Sequence, residues 1–253
     1  MADQKAPEQA PIAMVQQAAA YELTAEQLRR AVYSGRYLPG DRLPPERELT
    51  LQLGVSRTTL REAVRVLAAE KLVHVRRGAH GGIIVTDRPA TSPEQLHDFL
   101  RRSAEQVDEI LDLRIVLETG TARLAATRRS EEEVVTIQDA FDRMEEIFRH
   151  RRMDAVSAFW RADIEFHTRI ATASGNTRLT RAVEDARIEF LRPLGNVFST
   201  INEHAHDGHE AMLRAIRDRD PEAAEASVRT HIEVTRRVLR EIAGLAPDAR
   251  HAH

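Results

Sequence analysis

Apolar side chains recur at helical spacing along most of this chain. In residues 56–67, four apolar side chains fall on one face of a helix, and Ser56 stands at the N-cap position. The same spacing predicts two earlier helices, over residues 24–35 and 46–53, the first starting at a capping box on Thr24. A Gly-Val-Ser turn separates the second and third of these helices, an arrangement typical of a helix-turn-helix.

A hairpin follows the three helices. Residues 72–75 and 83–85 are apolar and β-branched, and the glycines between them allow the chain to reverse direction. Three helices followed by a two-stranded hairpin predict a winged helix. Residues 86–93 combine proline, threonine and serine, which indicates a linker.

Beyond the linker the spacing stays helical, without a strand pattern, and predicts an antiparallel bundle. The fold class predicted for the whole chain is mainly α, with an N-terminal winged helix-turn-helix and a C-terminal all-α antiparallel helical bundle. The predicted bundle helices lie near residues 93–102, 105–128, 131–150, 154–173, 177–199, 207–218 and 221–243. The predicted divisions are a flexible tail at 1–20, a winged helix-turn-helix at 21–88, a linker with the start of the first bundle helix at 89–98, a helical domain at 99–245 and a tail at 246–253.

Composition narrows the class of protein. The 253 residues are 42% hydrophobic and 30% charged, which is typical of a globular protein. No apolar run approaches about 18 residues, and the N-terminus lacks the regions of a secretion signal, so we expect neither a membrane span nor export. The chain has no cysteine, which excludes disulfides and thiolate metal sites. These features predict a cytoplasmic protein without a membrane partner.

The net charge of −3 hides an asymmetry along the chain. Residues 21–88 carry 12 Lys and Arg against 8 Asp and Glu, whereas residues 89–253 carry 24 against 30. A basic N-terminal part on an acidic remainder indicates that the N-terminal part meets a polyanion.

The third helix offers side chains for contact with DNA. The second helix of a helix-turn-helix places its N-terminal residues at base edges in the major groove. Arg57 can bind guanine with two hydrogen bonds, and Thr58 and Thr59 can bond a phosphate or touch a thymine methyl group. Arg61 follows one turn later, and Arg47 on the preceding helix is placed to reach the DNA backbone.

The tip of the predicted hairpin is both basic and rich in glycine. Arg77 and His80 lie beside Gly78, a combination that suits close approach to a minor groove or to phosphate. The alternative interpretation is that these basic residues only solubilise a winged helix that binds protein.

Residues 39–73, PGDRLPPERELTLQLGVSRTTLREAVRVLAAEKLV, resemble the N-terminal signature of the GntR superfamily of bacterial transcriptional regulators. The pattern covers about residues 28–86 and matches closely in SRTTLREA. Lys71 departs from it, because the family has glycine after this helix, and we expect an altered helix end with unchanged function. The resemblance implies DNA contacts by Arg47, Ser56, Arg57, Thr58, Thr59 and Arg61, and by the wing around Arg77 and Gly78.

A second group of residues lies in the helical part. Asp163 and His167 are four residues apart and share one helix face, His209 lies at a helix start, and His231 lies in the last long helix. One carboxylate and three imidazoles make a nitrogen and oxygen site for a divalent transition metal. Spacing alone leaves two alternatives open. Another of the histidines crowded next to His209 could take its place as a ligand, and Asp163 with His167 has the spacing of a solvated surface pair.

The helical part resembles the FadR C-terminal effector domain, FCD, which defines one GntR subfamily. The matching segments read LDLRIVLETGTARLAA, DIEFHTRIATASGN, HEAMLRAIRDRDPEAA and RTHIE. Many domains of this type hold a divalent metal, so the resemblance implies metal binding by Asp163, His167, His209 and His231. It favours the metal-binding branch over the metal-free branch that responds to acyl-CoA. Zinc is the first choice, with nickel or manganese as alternatives, because Asp and His ligation discriminates poorly among these metals.

The resemblance also points to two residues at an effector pocket. Arg114 lies in the helix that bears the family's basic pocket residue, and its guanidinium would bind a carboxylate with two hydrogen bonds. An ion pair with Glu118 one turn later is an equally supported alternative. Asn176 stands at the asparagine of the family motif, where it either contacts the effector or caps the following helix.

Together these features predict a ligand-responsive DNA-binding transcriptional regulator rather than an enzyme. A homodimer would place two winged helices on a palindromic operator, and a small organic acid, as effector, would bind beside the metal. Repression relieved by the ligand is the usual mode in the family, and activation is the alternative. No stripe on the helices identifies the dimer interface. The alternatives are a metal-dependent hydrolase or lyase that carries a DNA-binding domain, and an adaptor that binds no DNA.

Overall fold

The computed structural model describes residues 19–246 except for six internal segments. The excepted segments are residues 35, 38, 79–80, 87–91, 151–155 and 195–207. Most of both predicted tails, and His80 of the predicted wing, therefore lie outside the described residues.

Three helices and a two-stranded antiparallel sheet form the N-terminal domain. Its elements are α1 (Ala20–Tyr33), α2 (Glu46–Leu53), α3 (Arg57–Ala69), β1 (Val73–Arg76) and β2 (Gly82–Val85). In the sheet, Val73 lies opposite Val85, and Arg76 lies opposite Gly82. A Cβ at Gly81 would overlap the carbonyl oxygen of Arg76, so this turn requires glycine. The domain is the winged helix-turn-helix that the sequence predicts.

α3 packs its apolar face into the core of this domain. Leu60, Ala63 and Leu67 are buried against α1 and the sheet. Ser56 caps the helix, since its Oγ accepts the backbone N–H of Thr59 at 3.1 Å. The cap and the apolar face together fix the start and the orientation of α3.

α1 begins one turn earlier than predicted, at Ala20 rather than at Thr24. The Thr24 hydroxyl donates to the carbonyl oxygen of Ala20 at 2.7 Å inside the helix, so Thr24 is not the cap. The N-cap is Ala19, whose amide donates to Glu22 Oε2 at 3.2 Å. The predicted start is wrong because alanine, the strongest helix former, continues the helix before Thr24.

Seven helices form the described part of the C-terminal domain. They are α4 (Pro93–Arg102), α5 (Ala104–Arg128), α6 (Glu131–His150), α7 (Val156–Ala173), α8 (Thr177–Leu194), α9 (His209–Arg217) and α10 (Pro221–Ile242). α5 lies at the centre and packs against α7, α8, α9 and α10. The predicted fold class, mainly α with a winged helix-turn-helix and a helical bundle, is confirmed. None of the described helices is both long and apolar enough to cross a membrane.

Ion pairs around the buried side chains of Arg236 and Asp108 join α5 to α10. Arg236 is 2% exposed and donates to Asp112 at 2.6 Å and to Asp108 at 3.3 Å. Arg240 donates to the other carboxylate oxygen of Asp108 at 2.6 Å. These contacts hold the two longest described helices of the domain in register.

The winged helix touches the bundle through α1 and α8. Arg30 of α1 forms ion pairs with Glu184, at 3.6 Å, and with Asp185, both on α8. All three side chains are partly exposed to solvent, so these pairs contribute little to stability. They do join the first helix of the winged helix to a helix of the bundle core.

Lys71 lies in the left-handed region directly after α3, with a φ of +57°. A side chain there costs about 1–2 kcal/mol, whereas glycine adopts this conformation freely but loses about 0.5–1 kcal/mol of backbone entropy on folding. We therefore predict that Lys71→Gly raises the free energy of unfolding by about 0.5–1 kcal/mol. Urea titration of both proteins measures the difference.

Gly54 provides the opposite change as a control, because it ends α2 in the same region with a φ of +65°. Gly54→Ala is expected to lower the free energy of unfolding by about 1 kcal/mol. Unchanged or lower stability of Lys71→Gly would show that contacts of the lysine side chain outweigh the backbone strain.

Candidate metal centre and nucleic-acid interface

Four side chains that can bind a metal converge inside the helical domain. Asp163 and His167 lie on α7, His209 begins α9, and His231 lies on α10. All four are buried, and His231 is the most exposed of them at 5%. One ligand atom from each lies within 4.8 Å of the others. The interpretation of Asp163 and His167 as a solvated surface pair is therefore wrong.

Three of the ligand atoms are close enough to share one ion. His209 Nε2 lies 3.1 Å from Asp163 Oδ1 and 3.3 Å from His167 Nε2. His167 Nε2 lies 3.9 Å from the same carboxylate oxygen. Two atoms bound to one ion at about 2.1 Å are about 3.0–3.4 Å apart at octahedral or tetrahedral angles. The ring of His231 completes the group, with its centroid 4.5 Å from that of His209.

Local geometry explains why these side chains meet. The two α7 ligands are four residues apart, so they share one helix face. Gly208 precedes His209 with a φ of +93°, a conformation that favours glycine, and a Cβ there would lie 3.4 Å from the His231 side chain. Phe166 packs edge-on against the rings of His167 and His209, with centroids at 5.4 and 5.2 Å. This packing restricts the orientation of both imidazole rings.

Two buried charges that the sequence analysis did not assign to the metal site hold these ligands. Glu118 Oε2 accepts a hydrogen bond from His167 Nδ1 at 2.8 Å, which leaves Nε2 of His167 for the cluster. Arg187 donates to Glu118 at 2.9 Å and, through its other terminal nitrogen, to Asp163 Oδ2. Oδ1 of Asp163 is thus the oxygen that faces the histidines. The Nε of Arg187 is buried and has no hydrogen-bond partner among the described residues.

Burial and these charges set the protonation of His167, Asp163 and Glu118. Burial, and then the positive charge of Arg187, lower the pKa of His167 to about 4, so its imidazole is neutral near neutral pH. Burial by itself would raise the pKa of Asp163 and of Glu118. The charge of Arg187 on Asp163, and of Arg114 and Arg187 on Glu118, outweighs burial, so both pKa values lie below the ordinary range. A neutral imidazole and ionised carboxylates are the forms that bind a metal.

The residues present fit a divalent transition metal. Three imidazoles and one carboxylate are ligands that zinc takes in proteins. Tetrahedral ligand atoms at about 2.1 Å from one ion are about 3.4 Å apart, so the ligand atoms, which lie within 4.8 Å of one another, would have to approach by up to about 1.4 Å to bind it. The second ring nitrogen of His167, Nδ1, donates a hydrogen bond to the carboxylate of Glu118, an arrangement common among metal-binding histidines.

The two residues predicted at an effector pocket have different surroundings. Arg114 is 2% exposed, donates from Nε to Glu118 at 2.7 Å and lies 4.7 Å from the centre of the Phe190 ring. The ion pair with Glu118 is therefore formed. Within the described part of the chain, the terminal Nη groups of Arg114 have no hydrogen-bond partner. Asn176 Oδ1 accepts two backbone N–H groups of the first turn of α8, at 3.1 and 3.3 Å, and so caps that helix.

The surface of the winged helix presents basic side chains at the start of α3. Arg57 and Thr58 are exposed there, and Arg47 is exposed on α2. Neither Arg57 nor Arg47 forms an ion pair with any described residue, so both guanidiniums are available to DNA phosphates or bases. Arg77 and Gly78 are exposed at the end of β1.

Three other residues predicted to contact DNA are engaged within the protein. Arg61 binds Glu46 of α2 at 3.1 Å. The hydroxyls of Ser56 and Thr59 lie 2.8 Å apart in the cap of α3. A DNA contact by Arg61 therefore requires this guanidinium to leave Glu46 or to share it.

Comparison with known proteins agrees with this arrangement. The family described as bacterial regulatory proteins, gntR family, matches residues 20–83, and the FCD domain family matches residues 109–234. The Uxu operon transcriptional regulator of Escherichia coli (strain K12) is 30% identical over 235 residues, which cover 89% of this chain and 88% of that protein. This chain belongs to the GntR family. The Exu regulon transcriptional regulator of the same strain is 28% identical over 229 residues, covering 87% of this chain and 84% of that protein.

A solved structure supports the fold of this GntR family member. E. coli McbR/YncC matches with a TM-score of 0.52 and 19% identity, covering 89% of this chain and 99% of that chain. At this identity the likeness concerns the fold alone. The family and the named relatives are transcriptional regulators, so the chain is a regulator with a DNA-binding domain and an FCD domain, and not an enzyme.

The buried, neutral His167 predicts a pH dependence of stability. Its pKa is lowered from 6.5 to about 4 on folding, so the unfolded chain binds more protons between these pH values. The free energy of unfolding therefore falls as the pH is lowered through this window, by up to roughly 1 kcal/mol per pH unit. Urea titrations of chelator-treated protein across the window measure the loss.

The variant His167→Gln is the control for this prediction, because it removes the titrating ring while keeping a polar side chain. We expect its stability to change less steeply with pH in the same window. An equally steep dependence in the variant would assign the effect to other groups.

Proposed function

We propose that this chain is a ligand-responsive repressor that binds a palindromic operator as a homodimer and responds to a small organic acid held beside a metal. One observation carries the proposal. A buried cluster of one Asp and three His, held by Glu118 and Arg187, belongs to a chain whose winged helix presents Arg57 without an ion-pair partner among the described residues. In this proposal residues 21–88 bind DNA, residues 99–245 bind the effector and the second copy, and the protein works in the cytoplasm.

The metal would be held by Asp163, His167, His209 and His231. Zinc is the first choice, and nickel or manganese are alternatives, since nitrogen and oxygen ligands select weakly among them. When bound, the ion supplies a Lewis acid for a carboxylate or hydroxyl oxygen of the effector. The part played by the chain is to keep the imidazole of His167 neutral and the carboxylate of Asp163 ionised, with their ligand atoms facing the same cluster.

The effector would be a small carboxylate. Arg114 supports this, because its guanidinium is buried, and its Nη groups have no partner among the described residues. A guanidinium binds a carboxylate with two hydrogen bonds, which satisfies both of these groups. Asn176 takes an indirect part in this proposal, since its side-chain oxygen caps α8, the helix that carries Arg187.

The route from the effector to DNA would run along α8. Arg187 binds two carboxylates of the site, and two residues earlier Asp185 pairs with Arg30 of the winged helix. A ligand regulates only if it favours one placement of the DNA-binding domains over another. A shift of α8 on binding would change that placement, and repression relieved by the ligand follows if the favoured placement no longer matches the operator.

We predict about one metal ion per chain in protein purified without a nickel column, as one site with four ligands requires. His167→Ala or His231→Ala should abolish the metal content, measured by elemental analysis. Glu118→Gln should keep the four ligands but weaken metal affinity by about 10–100-fold in competition with a chelator, because it weakens the hold on His167.

His97→Ala is the matched control, because this histidine of α4 has 41% side-chain exposure and should not affect the metal content. A metal-free wild-type protein whose stability is unchanged by chelator would contradict the prediction. The four buried residues would then be structural.

Selection of DNA duplexes from random sequence tests the other half of the proposal. The wild-type protein should enrich a two-fold symmetric sequence and bind it with an affinity that falls as salt rises. Arg57→Ala should weaken binding to the selected duplex by about 1–3 kcal/mol, the value of one good base contact.

Arg229→Ala serves as the control, since this arginine lies on α10 in the helical domain and pairs with Glu225. It should leave the affinity unchanged. Failure to enrich any sequence would favour the adaptor that binds no DNA. Equal binding of a selected duplex by wild type and Arg57→Ala would contradict the base contact proposed for Arg57.

A further inference from the structure

One side of α5 carries exposed apolar residues that no described part of the chain covers. Leu113 and Val116 are 44% and 70% exposed, although they lie in the middle of the central helix of the domain. Gly120, one turn further on, has no atom within 4 Å of the point that its Cβ would occupy. A helix with apolar residues all round is normally buried all round. Within the described residues of a single chain, α5 is covered on its other sides only.

The exposed side has the spacing of a seam between two helices. Six exposed residues form this side, which we call the α5 face: Glu109, Leu113, Val116, Gly120, Arg123 and Thr127. They follow one another at alternating steps of four and three residues, which keeps them on one line along the helix.

The charges of the α5 face favour an antiparallel copy of the same helix. Glu109 lies at its N-terminal end, and Arg123, which also pairs with Glu225 of α10 at 3.4 Å, lies at its C-terminal end. Asp112, beside Glu109, pairs with Arg236. Two such helices placed in parallel would set like charges against each other. Placed antiparallel, the acidic end of each meets the basic end of the other. A two-fold axis gives this arrangement twice.

We propose that a second copy of this chain covers the α5 face, with the two α5 helices antiparallel across a two-fold axis level with residue 118. The midpoint of Val116 and Gly120 defines this level, so Val116 of each copy would pack into the open space at Gly120 of the other. The inference rests on the proposed function, which requires a homodimer, and it adds the surface on which that homodimer forms.

This interface shares its helix with the effector site. Arg114 and Glu118 lie on the buried side of α5, and Val116 lies between them on the exposed side. A displacement of α5 on ligand binding would therefore reach the second copy directly. The two winged helices of a dimer would then respond together rather than one at a time.

Val135 offers a matched control on the same domain. It is 59% exposed on α6, close to the value for Val116. The residues one turn away on either side of Val135 are polar, so it belongs to no apolar face. These neighbours are Glu131, Glu132, Gln138 and Asp139.

Sedimentation equilibrium of the full chain tests the interface. Val116→Glu places two like charges in the seam by symmetry and should raise the dimer dissociation constant by roughly 100-fold or more. Its circular dichroism and unfolding temperature should match wild type, because Val116 is exposed in the single chain. Val135→Glu should leave the dissociation constant unchanged.

Disulfide cross-linking tests the register, and the chain has no cysteine of its own. Chains with Val116→Cys mixed with chains with Gly120→Cys should give a linked dimer on oxidation, in several-fold higher yield than either alone. A mixture of Val135→Cys with Gly120→Cys should give none above background. Equal yields from the two mixtures would overturn the register.

Two outcomes separate this inference from the proposed function. If Val116→Glu stays as dimeric as wild type and still binds a two-fold symmetric duplex, the α5 interface is overturned and the proposed function stands. If the wild-type protein is monomeric at micromolar concentration and selects DNA without symmetry, the dimer and the proposed palindrome fail together, and the interface is overturned with them.

Discussion

The carboxylate of Glu118 is the charge on which the helical domain depends. It is buried at the centre of the bundle and accepts hydrogen bonds from Arg114, Arg187 and His167. Removing it would leave the guanidinium of Arg114 buried without its carboxylate partner and would leave Arg187 paired with Asp163 alone. Breaking one buried ion pair of this kind costs about 3–5 kcal/mol. The same carboxylate turns Nε2 of His167 toward Asp163 and His209, so the interaction that holds the core together also arranges the metal ligands.

α8 connects this core to the winged helix. Arg187 points from α8 into the cluster, whereas Glu184 and Asp185 pair with Arg30 of α1. The inner contact is buried and strong, and the outer contact is exposed and weak. A weak link of this kind can be broken or re-formed at small energetic cost, which suits a regulator whose DNA-binding domain must adopt more than one placement.

The sequence predicted the fold well because amphipathic spacing and caps decide it. The Ser56 cap and the helix bounds after residue 92 follow from capping residues and apolar spacing that the sequence shows directly. Lys71 is accommodated at a backbone position that favours glycine. Thr24 failed as a cap because α1 already begins at Ala20. The sequence analysis assigned Glu118 only to a pair with Arg114 and missed Arg187. Contacts between side chains of α5, α7 and α8 join residues far apart in the sequence, so no spacing pattern predicts them. The α5 face was hidden because α5 is apolar on opposite sides, which blurs the helical period.

The central claim is that Glu118 and Arg187 prepare one ion site from Asp163 and three histidines. Crystals of the metal-containing protein, measured on both sides of the absorption edge of the metal, test it most directly. The account predicts one anomalous peak bound by Asp163 Oδ1 and one nitrogen of each histidine at about 2.0–2.2 Å, with His167 Nδ1 still on Glu118. A peak elsewhere, or a metal bound by His167 Nδ1 with Glu118 turned away, would contradict it.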